Sequence, residues 1–447
     1  MTRRPVSIDM VRTLDEQKIS TSIAYEAMHA GAVLVIDGAP FLRPDGRIDR
    51  ELVHAHMRRC LDRVPEWRLR LMHSPLGVTT PAWVPDERFD PRDHVAFEEE
   101  PVELTAGTAR RLTGAGGPPL PRDRPLWDLR IAVLDTGELA VGARMHHVVG
   151  DGEWGFSVIR RLTAPQPEPV DTRTAVEWGS GGRPPRTAMA IPPFALRAFL
   201  VQQASFRGGW HDYWRKPFVK RVKRVASRNS APLREWWITR TGLRDRMLPP
   251  THAAAFDVVA SPAARRAARL RGTLNDLLVA SALGAVDDDD RGLDMLVPVS
   301  RRRRGSGDGV RNHISMARVH VGPGSTLPER VAEVRGTVRN EVRGEPVATP
   351  HGRMLGYATI MSLSEEPLWF GEAKVNRVIV FPVGDPRSEL SAFGVVYDGM
   401  LSVTLVSRLE LDVARMGDSM RRDLESPPLA DTGAATGARD ADPREAA

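Results

Sequence analysis

The sequence predicts an α/β (α+β) protein of two sandwich-type domains, each a mixed sheet with helices. Three observations carry this. The chain has 447 residues, more than one ordinary core accommodates. Both halves mix short β-rich runs with helical stretches. A Pro- and Gly-rich segment without sustained period, 164–187, separates the halves as a linker. The expected division is 1–163 and 188–425 for the two domains, with a small, polar, Pro-containing disordered tail over 426–447.

The elements follow in order. "GAVLVIDG" (31–38) is an apolar run between glycines and reads as a strand. "IDRELVHAHMRRCLDRVP" reads as a helix with Asp49 as N-cap. Leu52, His56, Cys60 and Val64 recur along it, and Pro65 stops it. Two strands, 128–134 and 139–147, flank a turn at Thr136-Gly137. A helix follows in "EWGFSVIRRL", with Phe156, Ile159 and Leu162 on one side. In the second half Ser261 and Pro262 suit the N-cap and first position of a helix. Residues 275–286 are apolar nearly all round, hence a buried helix. "LDMLVPVS" and "HISMARVHV" read as strands. "LPERVAEVRGTVRNEVR" is an amphipathic helix carried by Val331, Val334, Val338 and Val342. Asp398-Gly399 is the turn of a hairpin.

Composition narrows the function classes. Apolar residues make up 41%, enough for folded domains. Lys and Arg number 63 against 57 acidic residues, a mild excess that permits anionic partners without demanding nucleic acid. Cys60 is the single cysteine, which excludes an intrachain disulfide and a thiolate metal cluster and fits a reducing cytosol. The N-terminus has no apolar stretch of the signal-peptide kind. No run reaches the ~18 apolar residues of a membrane span. The chain is expected to be cytoplasmic, either soluble or lying on a surface.

The stretch "ARMHHVVGDGEWGF" (143–156) carries the chemistry. On a strand His146 and His147 point to opposite faces, one to the core and one to a cleft. That suits a lone base with a supporting partner, not a two-histidine metal site. A neutral imidazole can take a proton from a hydroxyl or amine attacking a carbonyl, worth roughly 10²–10⁴ in rate. Asp151 can brace the turn by pairing with an arginine or by capping the next helix. Gly152 leaves space where a substrate or backbone approaches closely. The plainer alternative makes both histidines packing residues ahead of an ordinary Asp-Gly turn. His54 and His56, two apart on a helix, diverge and are no metal pair. No metal site, Walker loop or nucleophile elbow is evident.

"HHVVGDG" resembles the HHxxxDG motif of the CoA-dependent acyltransferase superfamily. That superfamily takes in chloramphenicol acetyltransferase, peptide-synthetase condensation domains, and bacterial wax ester synthase/diacylglycerol acyltransferases. Other segments resemble the last of these: "PLPRDRPLWDLRI", "RGTLNDLLVASALGAV", "LVPVSRRRR" followed by "RNHISMARVHV", and "EAMHAGAVLVIDG" with "VPEWRLRL" near the start. The resemblance spans roughly 20–425. It implies two chloramphenicol-acetyltransferase-like domains with an active-site tunnel at their interface. It further implies His147 as general base, His146 in support and Asp151 as structural. Gly152 would give room for pantetheine, Asn275 and Asp276 lie in the family's ND segment, and Asp276 would join Gly152 and Trp127 in binding substrate. Asn275 would donate to a developing oxyanion or simply cap its helix. Trp127 would shape the tunnel wall or pack in the core.

The implied reaction moves a fatty acyl group from acyl-CoA, as substrate, to a diacylglycerol or fatty alcohol, with no cofactor or metal. Two departures bear on acceptor and acyl-length preference. The family's SNVPGP-like segment reads "NRVIVFPVGDP", and its N-terminal Ser-x-x-Asp pattern reads "STSIAYE". The rivals are a condensation-type enzyme using carrier-protein thioesters, and a catalytically inactive lipid-binding protein of the same fold. The PLW and ND segments argue against the first, and intact His147 and Asp151 against the second.

Two basic stretches remain. Residues 207–228 hold eight Lys or Arg against Asp212, interleaved with aromatics. They suit an anionic membrane or lipid-body surface, at about 1 kcal/mol per cation, or else a solvated helix face. "SRRRRGSGDG" (300–309) would attract CoA phosphates or form a solvated loop. No nucleic-acid module accompanies either.

Overall fold

The structure, a computed structural model, describes residues 9–11, 28–73, 80–114, 119–170, 219, 237, 240–241, 252–286, 291–300, 314–344, 352–381, 383, 388–407 and 411–426. The first half runs β1 (Asp9–Met10), β2 (His29–Ile36), α1 (Arg50–Arg63), β3 (Leu69–Met72), β4 (Ala82–Pro85) and β5 (Val95–Val102). It continues with α2 (Ala106–Leu112), β6 (Trp127–Leu134), β7 (Leu139–His146) and α3 (Gly152–Leu162). The second half runs β8 (His252–Val259), α4 (Ala260–Arg269), α5 (Leu274–Gly284), β9 (Leu293–Ser300), β10 (Ile314–Val321) and α6 (Leu327–Arg343). It ends with β11 (Arg353–Ser364), β12 (Trp369–Phe370), β13 (Ala373–Phe381), β14 (Leu390–Tyr397), β15 (Met400–Ser407) and α7 (Val413–Glu425).

Two six-stranded mixed sheets form the frame, in the orders β12-β13-β2-β7-β6-β5 and β10-β9-β11-β14-β15-β8. β2 is apolar almost throughout because both its faces are covered. One face packs on α1 and α3 through residues such as Met57, Leu61 and Phe156. The other takes Ala109 and Leu112 of α2, with Ala253 and Val406 of the second sheet against the same cluster. Both edges of β2 are also paired. β7 lies on one side, with His29 opposite His146. On the other lies β13, with Val375 opposite Ile36 and Phe381 opposite Gly31. A strand late in the chain thus completes the sheet of the first half.

In the second core α5 is buried on nearly all sides, as its composition predicts. β11 pairs parallel with β14 from Gly356 onward, yet with β9 only as far as Tyr357. Beyond Tyr357 the two strands part and the sheet opens.

Local chemistry accounts for most of the element ends. Asp49 caps α1 by accepting the Leu52 N–H at 3.2 Å. Asp398 and Gly399 take φ of 46° and 76°, the pair of left-handed residues that a two-residue hairpin turn requires. Some expectations need correction. α4 begins at Ala260, so Ser261 and Pro262 lie inside its first turn and Ser261 is not the cap. α5 begins at Leu274 and is capped by Thr273 in a capping box with Asp276, so Asn275 is not its cap. Val342 is exposed, and α6 buries only Val331 and Val334 of the four valines expected to carry it. The 207–228 segment lies outside the described residues except for Val219, as do 171–187, 301–313 and the tail from 427.

Candidate active site

β7 delivers the paired histidines to the end of the first sheet. The strand stops at His146, whose N–H donates to the Leu126 carbonyl at 3.0 Å. Its ring is buried, and Nδ1 accepts the Val148 N–H at 3.0 Å, which fixes the turn. The N–H of His147 donates to the Met28 carbonyl at 2.7 Å. Just before the pair, Arg144 makes a bidentate ion pair with Asp128, both contacts 2.6 Å, bracing β7 against β6. A side chain on Gly114, at φ 57°, would strike that arginine.

His147 is half-buried and faces a cavity of about 970 Å³ between the halves. The volume lies at the upper end of the range for small-molecule sites, roughly 300–1,000 Å³. Ala30, Met145 and Ile159 line it from one side, and Leu296, Tyr357 and Met361 from the other. Asp151, Gly152 and Glu153 border it at the N-terminus of α3. Asp151 is buried and caps that helix, its Oδ1 accepting the Trp154 N–H at 2.9 Å. The positive end of the α3 dipole therefore lies beside His147, where it favours developing negative charge. A Cβ on residue 152 would lie 2.7 Å from Met361 Sδ. Gly152, itself part of the cavity lining, thus admits a side chain of the second half.

The remaining expected site residues lie elsewhere. Asn275 is absent from the cavity wall and acts from behind it. Its Oδ1 accepts the Ile360 N–H at 2.8 Å, filling the gap where β11 leaves β9, and Ile360 does line the cavity. Asp276 is buried in its capping box and approaches Arg335 at 3.5 Å, away from the cavity. Its carboxylate accepts the Thr273 N–H at 2.8 Å and so holds the start of the helix. Trp127 is not among the described lining residues. It is stacked between Trp67 (4.3 Å) and His94 (4.4 Å), and its Nε1 donates to the Trp67 carbonyl at 2.7 Å. Trp67 presents the cavity wall instead.

Sequence reasoning missed Trp67, Met361 and Phe370 as wall residues. Trp67 stood within a segment already matched, "VPEWRLRL". Met361 and Phe370 belong to no motif, and only the pairing of β11, β12 and β13 brings them here.

Known proteins can be set beside this geometry. A wax ester synthase/diacylglycerol acyltransferase from Marinobacter aquaeolei VT8 superposes with a TM-score of 0.57 at 16% identity, over 93% of this chain and 98% of that one. The first condensation domain of the calcium-dependent antibiotic synthetase does so with a TM-score of 0.56 at 15% identity, over 95% and 98%. These likenesses establish the chloramphenicol-acetyltransferase-like two-domain fold. A Mycobacterium tuberculosis (strain CDC 1551) protein, provisionally named a diacylglycerol O-acyltransferase, is 30% identical over 162 residues, 32% of each chain. A counterpart from strain H37Rv is 30% identical over 149 residues, 32% of this chain and 29% of its own. The matched stretch thus spans about a third of the length of these curated relatives. Among the described residues no helix is long and apolar enough to cross a membrane. Residues 13–287, well over half of the chain, match the wax ester synthase/diacylglycerol acyltransferase catalytic domain, and the chain belongs to that family.

Proposed function

We propose that this protein is an acyl-CoA-dependent O-acyltransferase that moves a fatty acyl group to the hydroxyl of a diacylglycerol or long-chain alcohol. The observation that carries the reading is His147, brought by β7 to a largely apolar cavity that both halves line. The imidazole accepts the hydroxyl proton as the oxygen attacks the thioester carbonyl. The C–O bond forms, the carbonyl carbon becomes tetrahedral, and the adjacent α3 N-terminus favours its negative oxygen. The C–S bond then breaks, and the imidazolium returns the proton to the CoA thiolate. No acyl-enzyme forms, and each proton taken up in the first step is released in the second. His146 holds the turn, and Asp151 holds the helix that borders the site.

Incubating the purified protein with acyl-CoAs and a panel of alcohols and diacylglycerols tests the reading through free-thiol release and ester products. His147→Ala is expected to lower turnover by roughly 10²–10⁴ with an unchanged melting temperature. Near-normal turnover in that variant would remove the base assignment. Product formed only from a carrier-protein thioester and an amine would replace the reaction with a condensation.

A further inference from the structure

Part of the cavity lies well away from His147. It reaches beneath α3, between that helix and strands β2 and β7, where Leu34, Val141, Ala143, Gly155, Leu162 and Phe370 line it. Ala143 on the sheet is small, and Gly155 on the helix gives its place to Met145, whose Cε would lie 2.9 Å from a Cβ there. The larger residues stand at the far end.

That far end is firmly built. Phe370 arrives on β12 and is buried. Its strand is pinned to the chain leaving α3. The N–H of Ala164 donates to the Trp369 carbonyl, and that of Trp369 to the Ala164 carbonyl, both at 2.8 Å. The Glu168 N–H reaches the Gly371 carbonyl at 2.9 Å. Behind the Phe370 ring stand His56, edge-on at 4.1 Å, and Phe41 at 5.7 Å. Cys60 Sγ lies 3.2 Å from His56 Nε2 and 3.2 Å from the Leu162 carbonyl, tying this floor to the last residue of α3. Gly371, at φ 64°, makes the turn after Phe370, and a Cβ there would press on both Phe41 and His56.

The helix sets the depth. α3 has eleven residues, with Gly152 at the His147 end and Leu162 at the floor. At ~1.5 Å per residue it spans about 15 Å. A fully staggered alkyl chain with C–C bonds of about 1.5 Å advances about 1.25 Å per carbon. An arm that runs the length of α3, which lines the cavity from Gly152 to Leu162, holds about twelve carbons.

We propose that this arm measures an unbranched alkyl tail of about twelve carbons, with Phe370 as its end stop. The inference rests on the acyltransfer reading for its cargo, since either the acyl donor or the alcohol acceptor carries such a tail. An apolar channel with a hard floor rewards each methylene until the chain touches bottom. Beyond that point an added methylene must bend, displace the packed ring, or stay in the wider part of the cavity.

Calorimetric titration of the full chain with saturated acyl-CoAs, and separately with n-alkanols, of about four to about twenty carbons tests this. Affinity should rise about fourfold per added methylene, then level near twelve carbons. The series that levels identifies the source of the tail. Phe370→Leu should move the break to longer chains by roughly two carbons, and Ala143→Leu to shorter chains by roughly four. If Phe370→Leu fails to fold, the Ala143→Leu shift and the wild-type break still decide. A steady rise through the longest chains in both series would overturn the proposal. So would a break that stays put in folded variants, or no chain-length dependence at all. The measurement needs no turnover, so failure of His147→Ala to abolish esterification would leave it standing, and the reverse holds as well.

Discussion

The side-chain oxygen of Asn275 accepts the main-chain N–H of Ile360 at 2.8 Å, in the region where β11 has parted from β9. A strand leaving its neighbour exposes a row of unpaired groups, and here a helix side chain supplies a partner. The bond spans two elements and fixes the strand that carries Ile360 and Met361 into the cavity. Asn275→Ala should therefore lower stability by about 1–2 kcal/mol, since a part-buried N–H loses its acceptor. Turnover should fall several-fold with little change in substrate affinity. Asn275→Asp keeps an acceptor oxygen and should recover most of the stability. Urea unfolding of the two variants checks this, and an unchanged midpoint in Asn275→Ala would contradict it.

Gly152 and Met361 meet across the two halves. A Cβ on residue 152 would lie 2.7 Å from the Met361 sulfur, so a larger residue must push that side chain aside. Methionine is flexible, and alanine should be tolerated with a small shift. A β-branched residue should not be, because it both crowds Met361 and stiffens the first turn of α3. Gly152→Val is expected to lower kcat at least tenfold. Adding Met361→Ala to it should restore part of that loss. A double variant no better than Gly152→Val would show that the glycine serves something other than this contact.

Asp151 is buried and caps α3, whose first turn borders the site. Removing an N-cap costs about 0.5–2 kcal/mol, and asparagine or serine at the same place retains most of the bond. Asp151→Ala should accordingly lower the melting temperature, and Asp151→Asn should nearly restore it. If the role is structural, kcat in the Asn variant stays within a few-fold of wild type. A large loss of kcat in Asp151→Asn with an unchanged melting temperature would instead give the carboxylate a part in the chemistry.

Much of this arrangement was legible in the sequence where local rules decide. The strand read at 31–38 and found at His29–Ile36, the helix capped by Asp49, the all-round apolar α5 and the Asp398-Gly399 turn follow from period, caps and turn residues. The strand expected over 139–147 stops at His146, so His147 lies in the following turn and faces the cavity from there, which strand alternation alone does not dictate. What remained hidden depends on tertiary pairing. Nothing local in "WFGEAKVNRVIVF" says that β12 and β13 join the sheet of the first half, bringing Phe370 beneath α3. Trp127 and Trp67 have the same composition cues, and only their stacking order decides which of them faces the cavity. Asn275 at the start of a helix reads as a cap or a donor, whereas its actual partner lies on a distant strand whose pairing ends nearby.

His56 ties the floor of the alkyl arm to acid stability. Its ring is buried behind Phe370, and burial, with Arg63 and Arg59 nearby, pushes its pKa down to about 3 from an ordinary 6.5. Above pH 6.5 the residue is neutral in both folded and unfolded chains and contributes nothing to pH dependence. Below it the unfolded chain takes up a proton that the folded chain refuses, so stability falls as pH drops from 6.5 toward 3. The slope approaches about 1.4 kcal/mol per pH unit, and the loss by pH 5 is on the order of 2 kcal/mol. His54 and His94 are displaced in the same direction, chiefly by burial, and steepen the same limb. His56→Leu removes one titrating group without adding charge. It should flatten the decline between pH 6.5 and 5 by on the order of 2 kcal/mol, whatever its stability at pH 7.5. Urea midpoints for both proteins across that range give the comparison, and parallel declines would mean that His56 is already protonated in the folded chain.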